Sequence, residues 1–96
     1  MSLTVTITET RPDLSVAFFE PSWSFIEYIQ KYNNIRHRNV YGWTLAPDKL
    51  SRAMVTTYDT QSEYDIFLAD SEVVSISKLI DTHNASTSIV RTIVKS

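Results

Sequence analysis

TTYDTQSEYDIFLAD, residues 56–70, combines four acids with two tyrosines and a phenylalanine, which suits either an active-site wall or a strand-to-helix junction. Thr60 and Glu63 have the S/T-x-x-E spacing of a capping box, in which both side chains satisfy free backbone N–H groups. Acids in the first turn also complement the helix dipole. The apolar stripe of this helix consists of Tyr64, Phe67 and Leu68. The spacing therefore predicts a short helix over 60–70 whose acids are caps and surface groups, rather than a carboxylate pair or a metal site.

A change of helical face follows this segment. The first stripe would need an apolar residue at position 71, where Ser71 stands, and the next stripe runs at a different angle. Its members are Val73, Ile76, Leu79, Ile80 and His83. The pattern predicts two consecutive helices, or one helix bent near residues 70–72, with Asp70 able to cap the second. The polar run 83–87 ends this helix, and residues 88–95 form a final strand.

The first half of the chain predicts the other elements. Residues 3–9 alternate branched apolar side chains with threonines, which is typical of a strand. Residues 10–22 contain turn signals and predict a long loop, with a short hairpin strand as the alternative. The remaining predicted elements are a helix over 23–34, capped by Ser22 or Ser24, and a hairpin of strands 36–46 and 50–58.

The predicted order of elements is β-α-β-β-α-β within one domain, residues 1–96. With short connections and right-handed crossovers, this order gives an α+β fold, the ferredoxin-like plait, with a four-stranded antiparallel sheet and the helices on one face. Both faces of the sheet carry apolar side chains. Because a large exposed apolar patch usually marks an interface, we expect a homodimer through the uncovered sheet face, which closes a barrel-like interior.

Composition excludes several classes of site. The chain has no cysteine, so a disulfide, a thiolate nucleophile and a cysteine-based zinc site are impossible. Its single glycine, Gly42, excludes the glycine-rich phosphate loops of the Walker and Rossmann motifs. The net charge of −2 attracts neither nucleic acid nor anionic membranes, and no apolar run reaches the ~20 residues of a membrane span. The first ten residues do not resemble a signal peptide, so we expect a cytoplasmic protein.

The segment 52–77, RAMVTTYDTQSEYDIFLADSEVVSIS, resembles the dimeric α+β barrel superfamily, and within it the antibiotic-biosynthesis-monooxygenase-like group. The likeness lies in a strand ending in an aromatic residue, a short capped helix with an aromatic pair, a kink and a second helix. Members that oxidise polyketides or haem without a dedicated cofactor are similar in having Asn on the first strand, whereas positions 4–8 here are Thr-Val-Thr-Ile-Thr. Haem-degrading members add a Trp and a His, where this chain has Phe67 and Ser77. The resemblance implies the fold and carries over no catalytic residue.

The candidate ligand site consists of aromatic residues. They could line a small cavity between helices and sheet that suits a flat apolar ligand, or form a packed core whose polar tips reach water. The candidate ligand-binding residues are Tyr28, Tyr32, Trp43, Tyr58 and Phe67. The only histidines are His37 and His83, and a three-ligand metal site would need acids from distant segments beside them, so no metal and no cofactor are expected.

Three functions are compatible with these patterns. The first is a structural, interaction or small-ligand-binding protein without catalysis. The alternative is a cofactor-independent monooxygenase-like enzyme acting on a small aromatic or apolar substrate. The second alternative is an RNA-binding plait, suggested by RHR at 36–38 near Tyr41 and Trp43. The strand 50–58 lacks the aromatic pattern of RNA-recognition modules, so nucleic acid is not the expected partner.

Overall fold

Strand β1, Leu3–Thr10, lies in the interior of the sheet. In this computed structural model, which describes residues 2–35 and 42–96, β1 pairs antiparallel with β3, Ser51–Tyr58, and with β4, Val90–Lys95. The short β2, Thr44–Leu45, extends the sheet beyond β3 and gives the order β2-β3-β1-β4. The architecture is α+β with a four-stranded antiparallel sheet, compatible with a ferredoxin-like plait.

Within the described ranges, three helices complete the fold. They are α1, Trp23–Ile35, α2, Gln61–Ala69, and α3, Ser71–Thr87. The predicted pair of consecutive helices is confirmed, because one non-helical residue, Asp70, separates α2 from α3. α3 continues through the polar run 83–87, and Ser88 takes the C-cap position in the left-handed conformation, with φ of 61°.

Side-chain caps fix where the helices begin. Thr60 Oγ1 accepts a hydrogen bond from the Glu63 N–H at 3.2 Å, and Asp70 Oδ1 accepts one from the Glu72 N–H at 2.9 Å. Both caps were predicted from the spacing and are confirmed. Ser22 Oγ accepts from a first-turn N–H of α1 at 3.3 Å, so Ser22 is the one of the two candidate serines that caps α1.

The strand register gives the sheet two different faces. On the side that the helices cover, Ile7 lies opposite Met54 on β3 and Ile93 on β4. The other side is called the open face here, and its central cross-strand row consists of Thr6, Val55 and Val94. The alternation of β1 into an apolar side and a threonine side, which the sequence predicts, is confirmed.

One member of the predicted α3 stripe was wrong. Leu79 is an exposed residue, because it lies about 120° around the helix from the sheet-facing stripe that starts at Val73. Asn84 occupies that stripe one turn beyond Ile80 and is buried. The hydrophobicity of Leu79 favoured the wrong face in the sequence pattern.

Two further predictions concern the connections. Residues 11–22 form a loop without a strand, so the predicted loop is confirmed and its hairpin alternative is wrong. The hairpin turn before β3 is confirmed by a hydrogen bond from the Ala46 N–H to the Ser51 carbonyl at 2.8 Å. The predictions for residues 36–41, which include the RHR run and Tyr41, and for the Tyr32 side chain concern parts of the chain outside the described residues.

Candidate functional site

A cavity of about 310 Å³ lies between the helices and the sheet. Its floor is formed by helix-facing residues of β1, β3 and β4, and its roof by residues of α1, α2 and α3. The apolar lining includes Ile7, Ile29, Met54, Phe67, Ile76 and Ile93. This volume falls at the lower end of the ~300–1,000 Å³ range of small-molecule sites. The fold therefore has room for a compact ligand.

The predicted ligand-binding residues fall into two groups. Trp43, Tyr58 and Phe67 line the cavity. Tyr28 does not line it, because its side chain is 37% exposed and its hydroxyl donates to Asp70 Oδ2 at 2.5 Å. Tyr32 is the fifth member of the predicted set, and its side chain is outside the described part of the chain.

One end of the cavity is aromatic. The ring centroid of Tyr58 lies 5.0 Å from that of Tyr64 and 5.8 Å from that of Phe67. Both pairs are tilted, which is a geometry that aromatic pairs prefer. Val5, Tyr58 and Tyr64 form the buried core cluster beneath this end. Burial raises the pKa of the Tyr64 phenol above its ordinary value of 10.0, so the phenol is neutral at neutral pH. A flat apolar group would find complementary surface here.

The other end of the cavity contains a buried ionic cluster that was not predicted from the sequence. Glu9 is 1% exposed, and its neighbours across the sheet are Arg52 on β3 and Arg91 on β4. Glu9 Oε1 accepts from Arg52 Nε at 2.9 Å, and Glu9 Oε2 accepts from Arg91 Nη1 at 2.8 Å. All three residues line the cavity. Burial of an ionised carboxylate is tolerated because each oxygen has a guanidinium partner.

Arg52 holds this cluster in place. Its Nη1 donates to Glu20 Oε1 at 2.8 Å and its Nη2 donates to the Phe19 carbonyl at 2.9 Å. The guanidinium also lies over two aromatic rings, 4.0 Å from the centroid of Trp43 and 4.6 Å from that of Phe18. Cation–π contacts of desolvated groups contribute up to ~2 kcal/mol. Arg52 is therefore fully engaged by the protein itself.

The loop 11–22 covers the ionic end of the cavity. Arg11 anchors its start by donating to the carbonyls of Lys49 and Val16. The middle of the loop is held by α3, since His83 Nε2 lies 2.8 Å from the Ala17 carbonyl oxygen. A carbonyl only accepts hydrogen bonds, so this contact places the proton on Nε2. The loop is thus a packed part of the site.

A signal for the cluster was present in the sequence. The alternation that places Leu3, Val5 and Ile7 on the covered side of β1 also places Glu9 there. Arg91 follows the same rule on β4, in phase with Ile93. When each of three neighbouring strands has a charged residue at a position that alternation assigns to its apolar side, the pattern indicates a buried ion network. The strand register must be known before these residues can be placed next to one another.

The chemistry available at the site is limited by these contacts. Both Glu9 oxygens accept from guanidinium groups, so this carboxylate acts as a counter-ion and holds two cations in position. Within residues 2–35 and 42–96, three or more His, Asp or Glu side chains do not come together in a group that could hold a metal ion. No helix in the same ranges is long and apolar enough to cross a membrane. The arrangement can bind a polar group at one end and an apolar group at the other.

The comparisons with known proteins do not add a relative. No protein-family model, curated protein or solved structure matched this chain.

Proposed function

We propose that this protein is a binding module for a small, mainly apolar ligand, and that the ligand occupies the cavity between the helices and the sheet. The single observation that supports this proposal is the cavity of about 310 Å³ with its aromatic and aliphatic lining. A well-packed domain of this size leaves few voids larger than a water molecule. A cavity of this volume would hold the equivalent of roughly ten waters at ~30 Å³ each.

Binding, rather than catalysis, is the function that the contacts favour. Glu9, the buried carboxylate of the cavity, accepts from two guanidinium groups, and His83 is not one of the residues that line the cavity. A general base needs a free lone pair within reach of the substrate proton. The cofactor-independent monooxygenase-like alternative would use the same cavity, but none of these contacts favours it over binding.

The RNA-binding alternative receives no support from the described sheet. The open face carries threonine, serine, alanine and valine side chains, whereas Trp43 and Tyr58 lie at the cavity on the opposite side. Stacking of bases requires aromatic side chains on the exposed face.

Ligand binding is tested with indole, a small neutral aromatic molecule, by calorimetric titration. Ser77 on α3 lines the cavity, so Ser77→Leu places three additional carbon groups inside it. The matched control is Ser75→Leu, at an exposed position of the same helix. We expect indole to bind the unmodified chain and the Ser75→Leu variant equally, and the Ser77→Leu variant at least ~4-fold more weakly, because one lost buried methylene contact is worth ~0.8 kcal/mol. Equal binding to both variants would contradict the proposal.

We further propose that two copies pair through the open face, as expected for a dimeric α+β barrel. Three valines of this face, Val55, Val90 and Val94, are at least half exposed, at 50%, 63% and 57%. They alternate with threonines across β1, β3 and β4, and the helices cover only the other side of the sheet. A second copy would bury this branched, weakly polar surface.

The dimer is tested by light scattering at micromolar concentration. We expect a mass near twice 11.0 kDa. Val94→Lys introduces a charge into the centre of the open face and should give a monomer, because an unpaired charge is costly in a dry interface. Leu79→Lys is the matched control, since Leu79 is equally exposed on the outer side of α3. A monomeric unmodified chain, or loss of the dimer in the Leu79→Lys variant alone, would exclude this mode of pairing.

A further inference from the structure

Arg91 lines the cavity and has hydrogen-bonding capacity to spare. Its side chain is 23% exposed and lines the cavity, and its one hydrogen bond to the described residues runs from Nη1 to Glu9 Oε2. A guanidinium has five N–H donors in a planar fork. The remaining donors of Arg91 are therefore without a protein acceptor among the described residues. Arg52 differs, because all of its nitrogens donate to protein oxygens.

The charge balance of the ionic cluster, Glu9 with Arg52 and Arg91, is positive. Glu9 is matched by Arg52, which leaves the charge of Arg91 without a buried counterpart. Two other acids are near this end, but both are exposed: Glu20 is 66% exposed and bound to Arg52, and Asp81 lines the cavity from an exposed position on α3. Solvent screens exposed charges strongly and buried charges weakly. An anionic group at Arg91 would be favoured over a cationic one.

Apolar surface begins immediately next to Arg91. Ile93 lies two residues beyond Arg91 on β4, on the same side of the sheet and opposite Ile7. At ~3.3 Å per residue, roughly 6–7 Å separates the backbone positions of Arg91 and Ile93. The aromatic end of the cavity, at Tyr58 and Phe67, lies beyond them. The site therefore combines the guanidinium of Arg91 with an adjoining apolar cavity that has room for one small molecule.

We propose that the ligand of the cavity is a small aromatic or aliphatic monocarboxylate, with its carboxylate on the free edge of Arg91 and its apolar body over Ile7 and Ile93. This inference rests on the proposed ligand-binding function and names the chemical class of the ligand. The planar fork of Arg91 matches the two oxygens of a carboxylate, and such charge-assisted pairs are about twice as strong as neutral hydrogen bonds.

The test compares 2-naphthoic acid with 2-naphthamide by calorimetric titration of the unmodified protein at neutral pH. The two molecules have the same shape and differ in charge. We expect the acid to bind at least ~10-fold more tightly than the amide, because hydrogen bonds to charged groups contribute ~1.5–3 kcal/mol. Equal affinities overturn the carboxylate assignment and leave the ligand-binding function standing. Binding of neither molecule, together with no binding of indole, overturns both.

Two variants locate the carboxylate. Arg91→Gln should reduce the preference for the acid over the amide to less than ~3-fold, while Arg91→Lys keeps the charge and should retain part of it. The matched control is Lys95→Gln, which removes the same charge from the same side of β4 at a residue outside the cavity lining. An unchanged preference in Arg91→Gln overturns the assignment. If Arg91→Gln does not fold, the other two variants decide. A preference for the acid that persists in Arg91→Lys and in Lys95→Gln supports the carboxylate assignment, and an equal loss of that preference in both variants overturns it.

Discussion

Replacement of Glu9 by Gln should destabilise the protein far more than any other loss of a single negative charge in the described chain. Glutamine keeps the shape of the side chain, removes its charge and replaces one acceptor oxygen by an NH2 donor, so one of the two guanidinium groups at the end of the cavity loses its acceptor. Glu9 is 1% exposed and Arg52 6% exposed, so solvent cannot replace the lost partner. Breaking a buried ion pair in this way costs ~3–5 kcal/mol.

The expected size is at the lower end of that range, because Arg52 retains its contacts with Glu20 and with the Phe19 carbonyl. For a domain of 60–100 residues, 1 kcal/mol corresponds to ~4–8 °C in Tm, so ~3 kcal/mol predicts a decrease of roughly 12–24 °C. The total free energy of unfolding of such a domain is only ~5–15 kcal/mol. The Glu9→Gln variant would therefore fold with a small margin.

The assay is equilibrium unfolding in urea, followed by circular dichroism, because urea leaves ionic interactions unscreened. The matched control is Glu20→Gln, which removes a carboxylate from the same arginine at a position that is 66% exposed. Exposed ion pairs contribute ~0–1 kcal/mol, so this variant should change the free energy of unfolding by less than ~1 kcal/mol. Equal effects of the two substitutions, or an effect of Glu9→Gln below ~1 kcal/mol, would refute the reasoning about the buried cluster.

Three further substitutions test other parts of the structure. Hydrogen bonding from Tyr28 lowers the pKa of Asp70 below its ordinary value of 3.8, so its contribution to stability is present above pH ~4 and lost as pH falls through the lowered pKa. Tyr28→Phe should lower Tm at pH 7 and approach the unmodified protein in acid; a constant difference across a pH series of melts would contradict this. Asn84→Leu should raise the free energy of unfolding by ~1 kcal/mol, measured in urea, because both polar atoms of this buried amide lack a partner among the described residues. Ser88→Gly should add ~1 kcal/mol in the same assay by relieving the left-handed conformation at the α3 C-cap, and a loss of stability would argue against that strain.

The segment 56–70 shows how far local rules reach. Interactions within one or two helical turns account for three of its features. These are the caps at Thr60 and Asp70, the break between α2 and α3, and the burial of Tyr64. Such interactions are encoded in spacing alone, so the sequence was sufficient to predict them. The prediction that the acids are caps is confirmed for Asp70, whose carboxylate accepts two α3 N–H groups.

The ionic end of the cavity shows where those rules stop. Glu9, Arg52 and Arg91 are separated by 43 and 39 residues along the chain, and only the register of β1, β3 and β4 brings them into one row. Register depends on all the cross-strand contacts together, and a shift by one residue would turn each of these side chains to the open face. The cavity itself has the same origin, because unfilled volume is a property of the packed elements and leaves no sequence pattern.

The most direct test of the central claim is to locate bound indole by intermolecular nuclear Overhauser effects in a sample with labelled isoleucine and valine methyl groups. Isoleucine methyls report on the cavity, since Ile7 and Ile93 form its floor, and Val55 and Val94 report on the open face. Contacts from indole to the two isoleucines, without contacts to the two valines, are the predicted result. Contacts confined to the valines, or none to Ile7 and Ile93 at saturating indole, would contradict the assignment of the cavity as the ligand site.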